Sequence, residues 1–201
     1  MRSYDALYKK SFIFALIFSL LTLAACAPVP EADMSLYPSS GVELEGYGVN
    51  GRFAVFENES IRASVRHIRK DEAAPGGAFI AGLLDKDYVI FDLTIENLSG
   101  SKIIYNPAYT VLTNDSLDYR KPLDFTDLYD ITGDERELSS LKGKFYDVNV
   151  TVLPGDATSR LLIFKPISGK PAKAEVAIKE IYIGTSTETM SFPFEFREDG
   201  P

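Results

Sequence analysis

The chain contains one cysteine, one histidine and no tryptophan among its 201 residues. A single thiol cannot form an internal disulfide, and one histidine with one cysteine cannot supply the four nitrogen and sulfur ligands of a structural zinc site. No serine lies in a Gly-x-Ser-x-Gly motif, and His67 is the one histidine that could activate a serine. These absences argue against the common zinc sites and against catalysis by a serine and histidine pair.

The one cysteine, Cys26, directly follows an apolar segment near the N-terminus. Three basic residues precede the segment at positions 11–25, SFIFALIFSLLTLAA, in the order typical of an export signal. As a helix this segment would measure about 22 Å, against the roughly 30 Å of hydrocarbon that a spanning helix must cross. Residues 1–25 are therefore predicted to be a cleaved signal peptide and not a membrane span.

The sequence Leu-Ala-Ala-Cys at residues 23–26 resembles a bacterial lipobox. In that family an acyl-glycerol group joins the cysteine sulfur through a thioether, and a dedicated signal peptidase cleaves before the cysteine. The resemblance implies a lipoprotein with palmitate-type chains on Cys26, and two or more such chains give stable attachment. The alternative is an ordinary signal peptide or an uncleaved anchor with a buried cysteine. The residue after Cys26 is Ala27 and not Asp, and the absence of Asp there resembles the outer-membrane sorting pattern of enterobacterial-type lipoproteins. We therefore expect a protein of the bacterial cell envelope, anchored in the outer membrane.

The chain after the signal peptide is acidic. Residues 1–25 contain three basic and one acidic residue, which leaves 18 Lys and Arg against 28 Asp and Glu, a net charge of −10. Such a charge repels nucleic acid and anionic lipid headgroups, so we expect no nucleic-acid partner and membrane association through the lipid on Cys26. Proline-containing residues 26–45 are predicted to be the lipidated cysteine and a flexible tether, and residues 46–201 a single domain.

Hydrophobic residues in this domain recur with the period of two that is typical of strands. In YVIFDLTIEN, Val89, Phe91, Leu93 and Ile95 point to one side while polar residues point to the other. The segment FYDVNVTV is read in the same way, with Tyr146, Val148, Val150 and Val152 on one face. Seven or eight such segments predict an all-β fold, an antiparallel β-sandwich.

One part of the domain departs from this period. Near residues 121–142 apolar residues recur at three- to five-residue spacing, which predicts two short helices separated by a loop at Thr132–Glu135. We therefore expect a short helical insertion between strands of the sandwich.

Two longer segments, YVIFDLTIENLSGSKIIYNPAYTVLTN and VLPGDATSRLLIFKP, resemble bacterial extracytoplasmic immunoglobulin-like domains of uncharacterised function, many of which are lipoproteins. The resemblance implies an immunoglobulin-like sandwich of about 7–8 strands. It implies no particular activity, because this fold carries many unrelated functions.

Three sets of residues are weighed as binding or catalytic sites. His67 shares the phase of Ile61, Ala63 and Val65, so we expect a structural, inward-facing histidine instead of a catalytic base or metal ligand. The carboxylates could hold calcium, although their spacing also suits the solvated face of a helix, which we favour; they are Asp118, Asp124, Asp127, Asp130, Asp134 and Glu135. The tyrosines could stack on a carbohydrate, although most tyrosines of a sandwich serve the core; they are Tyr105, Tyr109, Tyr119, Tyr129 and Tyr146.

A basic stripe is the candidate surface for a protein partner. In SIRASVRHIRK the strand period places Arg62, Ser64, Arg66 and Ile68 on one face, followed by Arg69 and Lys70. The docking hypothesis is that Arg62, Arg66, Arg69 and Lys70 bind an acidic envelope protein. The alternative is that these charges protect an exposed strand from aggregation.

These observations favour a lipid-anchored cell-envelope protein that acts as a non-enzymatic interaction or assembly module, without metal or cofactor. The alternative is a periplasmic or surface lipoprotein that binds a ligand or ion, either calcium or a carbohydrate.

Overall fold

Alternating apolar residues build two antiparallel sheets that pack face to face. The computed structural model describes residues 34–72, 77–139, 141–169 and 171–198. Its strands are β1 Met34–Pro38, β2 Tyr47–Asn50, β3 Phe53–Glu57, β4 Ile61–His67, β5 Val89–Asn97, β6 Ile103–Tyr105, β7 Thr110–Asn114, β8 Tyr119–Arg120, β9 Val150–Val152, β10 Ala157–Phe164, β11 Lys173–Ile183 and β12 Ser186–Glu198. The helices are α1 Ala78–Asp85, α2 Phe125–Thr132 and α3 Glu135–Ser139, with a 3-10 turn at Pro107–Tyr109. The predicted all-β sandwich is confirmed.

The two sheets contain seven and five strands. The larger has the order β1-β12-β11-β6-β9, with β7 pairing with β11 and β8; the smaller has the order β10-β5-β4-β3-β2. The described residues thus contain more strands than the seven or eight predicted. Strands β2 and β8 have only four and two residues, too few to show a clear alternation, and β1 lies in the segment predicted as tether. The 3-10 turn divides one predicted strand into β6 and β7.

The main core fills the space between the sheets. Phe91 of β5 lies at its centre. The centroid of its ring is 6.0 Å from that of Phe164 in the same sheet and 5.1 Å from that of Phe194 in the opposite sheet. Tyr105 and Tyr146 are also fully buried and meet edge to face at 4.9 Å. Such aromatic pairs add to the stabilisation that burial of apolar area already gives.

A second core lies on the outer face of the five-stranded sheet, at one end only. Ile90, Leu161 and Ile163 point outward there, and the three helices cover them with buried leucines. The helical insertion is therefore confirmed: α2 and α3 are separated by residues 133–134. Helix α1 was not predicted, because its eight residues, AFIAGLLD, are apolar on most sides and show no clear helical period.

The N-terminus of α2 is capped by two aspartates. The Asp124 side chain accepts a hydrogen bond from the backbone N–H of Asp127, and the Asp127 side chain accepts one from the backbone N–H of Asp124. This capping box satisfies two backbone donors that would otherwise lack partners. The helix ends at Gly133, whose left-handed backbone, with φ of 64°, is favourable for glycine.

The predicted boundary between tether and domain is wrong. Met34–Pro38, placed in the tether over residues 26–45, form β1 and pair with β12 from Met34 opposite Glu198 to Pro38 opposite Phe194. Leu36 is buried in the main core, which is why this proline-containing segment is ordered as an edge strand. The domain therefore includes Met34–Pro38 and does not begin at residue 46. Cys26 and residues 1–25 lie outside the described residues.

The segment FYDVNVTV is also not the single strand that its alternation predicts. Only Val150–Val152 form a strand, and Val148 is 60% exposed. Residues 144–146 instead run beside β10: the Tyr146 N–H donates to the Leu161 carbonyl at 2.9 Å, and the Leu161 N–H donates to the Lys144 carbonyl at 2.8 Å. This segment therefore covers the edge of β10 next to the second core.

The position of β1 predicts a large effect of Leu36→Ala. Truncation of a fully buried leucine removes apolar contact and leaves a cavity, so we expect the free energy of unfolding to fall by about 2 to 5 kcal/mol. Val49→Ala, on the exposed edge strand β2, is the matched control and should cost little. Urea unfolding of both variants tests this, and equal stability of the two would show that β1 is not part of the core.

The two buried tyrosines predict a loss of stability at high pH. Burial raises the pKa of both Tyr105 and Tyr146 above the ordinary value, so each stays neutral in the folded state where the unfolded chain has ionised. Above about pH 10 the unfolded state therefore binds fewer protons, and each tyrosine lowers the free energy of unfolding by about 1.4 kcal/mol per pH unit. Below about pH 10 the tyrosine protons are bound in both states, so the stability that the buried tyrosines contribute is fully present.

The variant Tyr105→Phe isolates one of these groups. It should reduce the alkaline slope of stability against pH by the equivalent of one proton, while the slope near neutral pH stays the same. Urea unfolding at a series of pH values measures both slopes. An unchanged alkaline slope would mean that Tyr105 is accessible to solvent in the folded protein.

Candidate functional site: the arginine face of the five-stranded sheet

The predicted basic stripe lies on the outer face of the five-stranded sheet. Arg62, Ser64 and Arg66 of β4 point outward, opposite Glu96, Thr94 and Asp92 of the neighbouring strand β5. Ile68, which the strand period places on the same face, is completely buried because it follows the end of β4 and lies in the second core. The stripe therefore runs from an exposed end at Arg62 to an end at residue 68 that is covered by the helices.

Arg62 is held between two carboxylates. Its Nε donates to Glu57 Oε2 at 2.7 Å on β3, and its Nη1 donates to Glu96 Oε2 at 3.0 Å on β5. The hydrogen bond from Arg62 lowers the pKa of Glu57, and the hydrogen bond to Glu57 raises the pKa of Arg62. The row Glu57, Arg62 and Glu96 thus carries more negative than positive charge.

Three arginines meet at a single carboxylate, Glu72, and we call them together the Glu72 cluster. Arg52 Nη1 donates to Glu72 Oε1, and Arg66 Nη1 donates to Glu72 Oε2 at 2.8 Å. Arg69 Nε lies 3.6 Å from Glu72 Oε1. Asp92 also faces Arg66, with Oδ2 at 3.7 Å from Nη2. Because the Glu72 side chain is only 20% exposed, this cluster is shielded from solvent more than a surface ion pair is.

Tyr37 of β1 completes the cluster on the side of the other sheet. The Arg197 guanidinium lies 5.5 Å from its ring centroid and that of Arg52 lies 6.0 Å away, both within the range of cation–π attraction. Arg69 Nη1 donates to the Tyr37 hydroxyl at 3.0 Å. Burial lowers the pKa of Arg52, and the positive charges of Arg69 and Arg66 lower it further.

The remaining cations of the stripe are also paired. Lys70 Nζ donates to Asp87 Oδ1 at 2.9 Å, and Arg69 forms an ion pair with Asp71 in addition to its contacts in the Glu72 cluster. Each of the four residues predicted to dock a partner therefore has at least one carboxylate next to it. The docking hypothesis stays a prediction, but the positive charge on which it relied is matched by neighbouring acids.

His67 occupies the structural position expected for it. It is buried, its Nδ1 accepts a hydrogen bond from the Leu36 N–H at 3.3 Å, and its ring lies 5.5 Å from that of Phe91. To accept this bond Nδ1 must be unprotonated. The histidine thus links β1 of one sheet to β4 of the other.

The structure separates the tyrosines that could have formed a carbohydrate platform. Tyr105 and Tyr146 lie in the main core, where the Tyr105 hydroxyl is 2.6 Å from Thr110 Oγ1 and the Tyr146 hydroxyl donates to the Leu93 carbonyl at 3.2 Å. Tyr109, Tyr119 and Tyr129 are exposed on separate segments of the chain. The five side chains therefore do not share one surface.

The predicted acidic cluster has structural roles at several positions. Asp124 and Asp127 cap α2, and Asp134 Oδ1 accepts from the Arg136 N–H at 2.8 Å near the start of α3. Asp118 accepts from the Ser168 N–H, and this bond, together with the charge of Arg120, lowers the pKa of Asp118. Asp130 and Glu135 are exposed, as the solvated-face interpretation predicted.

Two further kinds of feature, a metal site and a membrane-spanning helix, are absent from the described ranges of the chain. Within them, no group of three or more His, Cys, Asp and Glu side chains is arranged so that it could hold a metal ion. No helix within the same ranges is both long and apolar enough to cross a membrane.

Sequence reasoning missed two residues of this face. Glu72 follows Arg69, Lys70 and Asp71 in a run of mixed charge, and that run was the available signal that the cations have local partners. Tyr37 was missed because its segment is predicted as tether. Its contacts with Arg52 and Arg197 join residues that are far apart in the sequence, so no local pattern could predict them.

No protein-family model and no curated protein matches the chain. Among solved structures, the yjhA protein from Bacillus subtilis is similar, with 15% identity, a TM-score of 0.37 and coverage of 62% of this chain and 76% of that one. A functionally unknown protein from Listeria monocytogenes EGD-e has 15% identity, a TM-score of 0.37 and coverage of 83% and 89%. Likenesses of this size say nothing about what this chain binds.

The Glu72 cluster predicts a difference between two glutamates of the same face. Glu72→Gln leaves three arginines close together with one less negative charge, so we expect the free energy of unfolding to fall by about 1 to 3 kcal/mol. Glu57→Gln is the matched control, because the Glu57 side chain is 47% exposed and its loss should change stability little. Urea unfolding of both variants measures the difference. If the two have the same midpoint, the Glu72 cluster does not stabilise the fold.

Proposed function

We propose that this protein is a lipid-anchored component of the bacterial cell envelope whose β-sandwich is a non-enzymatic interaction module. The observation that carries the proposal is the small number of residues between the lipobox-like sequence and the first strand. Only residues 27–33 lie between Cys26 and Met34, where β1 begins. Even if fully extended, this segment would reach only about 28 Å. A lipid on Cys26 would therefore keep the domain close to the membrane surface.

The use of the reactive side chains supports an interaction role over catalysis. His67 supplies an acceptor to the β1 backbone, and the Tyr105 and Tyr146 hydroxyls are bonded inside the core. Two of the carboxylates also have structural contacts: Asp124 caps a helix and Glu72 holds arginines. These five side chains, all of types that can perform acid–base chemistry, are thus committed to the fold.

The docking surface that we propose is the exposed end of the stripe, around Arg62. Arg66 and Arg69 are partly covered and held in the Glu72 cluster, whereas about half of the Arg62 side chain is open to solvent. The side chains of its partners Glu57 and Glu96 are 47% and 39% exposed. A partner can exchange such exposed ion pairs at low cost, because they contribute little to the stability of the domain.

The anchor is tested by Cys26→Ser in the natural host. The parent protein should fractionate with membranes, and its intact mass should exceed that of the polypeptide from residue 26 by the mass of the lipid. Cys26→Ser should leave the protein unlipidated, because serine cannot form the thioether. Ala27→Ser is the matched control, since it places the same side chain one residue later and keeps the thiol. An unmodified Cys26 thiol in membrane-extracted protein would contradict the anchor.

The interaction role is tested on the same membranes by chemical cross-linking and mass spectrometry. A specific envelope protein should be cross-linked to the parent and be lost in Arg62→Gln, while Lys179→Gln, on an exposed position of the other sheet, keeps it. If both variants retain the same cross-linked proteins, Arg62 is not part of a docking surface.

A further inference from the structure

The turn between β7 and β8 presents an isolated leucine to solvent. Leu117 is 93% exposed, more than any other large hydrophobic residue of the described chain. Its backbone is left-handed, with φ of 63°, a conformation that is costly for a leucine and that asparagine or glycine adopts more readily. The chain thus keeps a leucine at a position where neither burial within the domain nor backbone preference favours one.

Polar contacts on both sides hold this turn in place. Asn114 Oδ1 accepts hydrogen bonds from the N–H groups of Ser116 and Asp118 at 2.9 and 3.0 Å. Asp118 Oδ2 accepts from the Ser168 N–H at 2.8 Å, and Asp115 Oδ2 accepts from the Ala172 N–H at 3.1 Å. The turn is therefore fastened to the segment before β11, and Leu117 projects from a fixed base.

The register of the large sheet places Leu117 at the end of the sandwich where the described domain begins. Asn114 lies opposite Ala174, which lies opposite Phe194, which in turn lies opposite Pro38. Each of these pairings is antiparallel, so β7 and β1 run in opposite directions. Beyond Asn114, β7 therefore enters its turn at the end of the sheet where β1 starts at Met34. The Leu117 turn and Met34 are therefore at the same end of the sheet.

We propose that Leu117 inserts into the lipid bilayer beside the anchor and fixes the orientation of the domain. This inference rests on the proposed lipid at Cys26, which is separated from Met34 only by residues 27–33. One leucine binds a membrane weakly by itself. When the lipid already holds the domain at the surface, the second contact is intramolecular and benefits from a high effective concentration.

The charges near the turn are compatible with a shallow contact. Arg120 Nη2 lies 3.1 Å from Asp118 Oδ1, so the Asp118 carboxylate is balanced by a cation. Asp115 has a backbone donor but would still be repelled by anionic headgroups. Insertion should accordingly be stronger into vesicles of phosphatidylcholine than into vesicles that also contain phosphatidylglycerol.

A fluorescent probe at residue 117 tests this contact in the lipidated protein. In the variant Leu117→Cys the new thiol is the one available to a nitrobenzoxadiazole label, because the Cys26 sulfur would be blocked by the lipid. After reconstitution into phosphatidylcholine vesicles, its emission should rise several-fold and shift to the blue, and bromine-labelled lipid chains should quench it. Leu153→Cys is the matched control: Leu153 is 56% exposed and follows Val152, at the opposite end of the sheet.

The outcomes separate this inference from the proposed function. If the protein does not sediment with the vesicles, the anchor fails and the inference fails with it. If it sediments but the probes at residues 117 and 153 both report water, the anchor stands and insertion of Leu117 is wrong. Insertion is also wrong if the probe at residue 117 responds only when a second envelope protein is added. A circular dichroism spectrum equal to that of the parent shows that each labelled variant is folded.

Discussion

The architecture depends on one constraint: the five-stranded sheet is buried on both faces at one end and on one face at the other. In β5, Val89, Ile90 and Phe91 are all buried, after which buried and half-exposed residues alternate to Asn97. In β10 the order is reversed, because the alternation comes first and the last four residues are all buried. Antiparallel pairing brings the two fully buried halves together. Such a surface needs a cover, and the three helices supply it.

The same constraint explains the position of the ion pairs. Where the helices end, the outer face of β4 and β5 meets water, and its outward positions change from isoleucine to arginine, aspartate and glutamate. Arg66 lies at this border, packed 5.5 Å from the Phe53 ring and held by Glu72 and Asp92. Arg62, further along, forms ion pairs with the exposed carboxylates of Glu57 and Glu96. Arginines that look alike in the sequence therefore differ along one strand, from the partly covered ion pairs of Arg66 to the solvent-exposed ion pairs of Arg62.

The sequence predicts those parts of the fold that depend on local periodicity. The alternation in β5 and the spacing of leucines in α2 and α3 both correspond to observed elements. The prediction failed where a distant contact decides the structure. Met34–Pro38 form a strand because β12 pairs with them and His67 accepts a hydrogen bond from Leu36, and no pattern within those residues indicates either contact. The carboxylate partners of Arg62 were equally hidden, since they depend on the register of β3, β4 and β5.

Two hydrogen bonds outside the regular strand pairing show most directly how β1 and the helical segment are held. The Leu36 N–H donates to His67 Nδ1, which ties β1 to the opposite sheet, and the Leu123 N–H donates to the Ile163 carbonyl at 2.7 Å, which ties the helical segment to β10. Residue-resolved amide hydrogen exchange measures both. These two amides should exchange as slowly as those of the central strand β5 and far more slowly than that of Val49 on the open edge. Exchange of Leu36 and Leu123 as fast as Val49 would contradict this prediction.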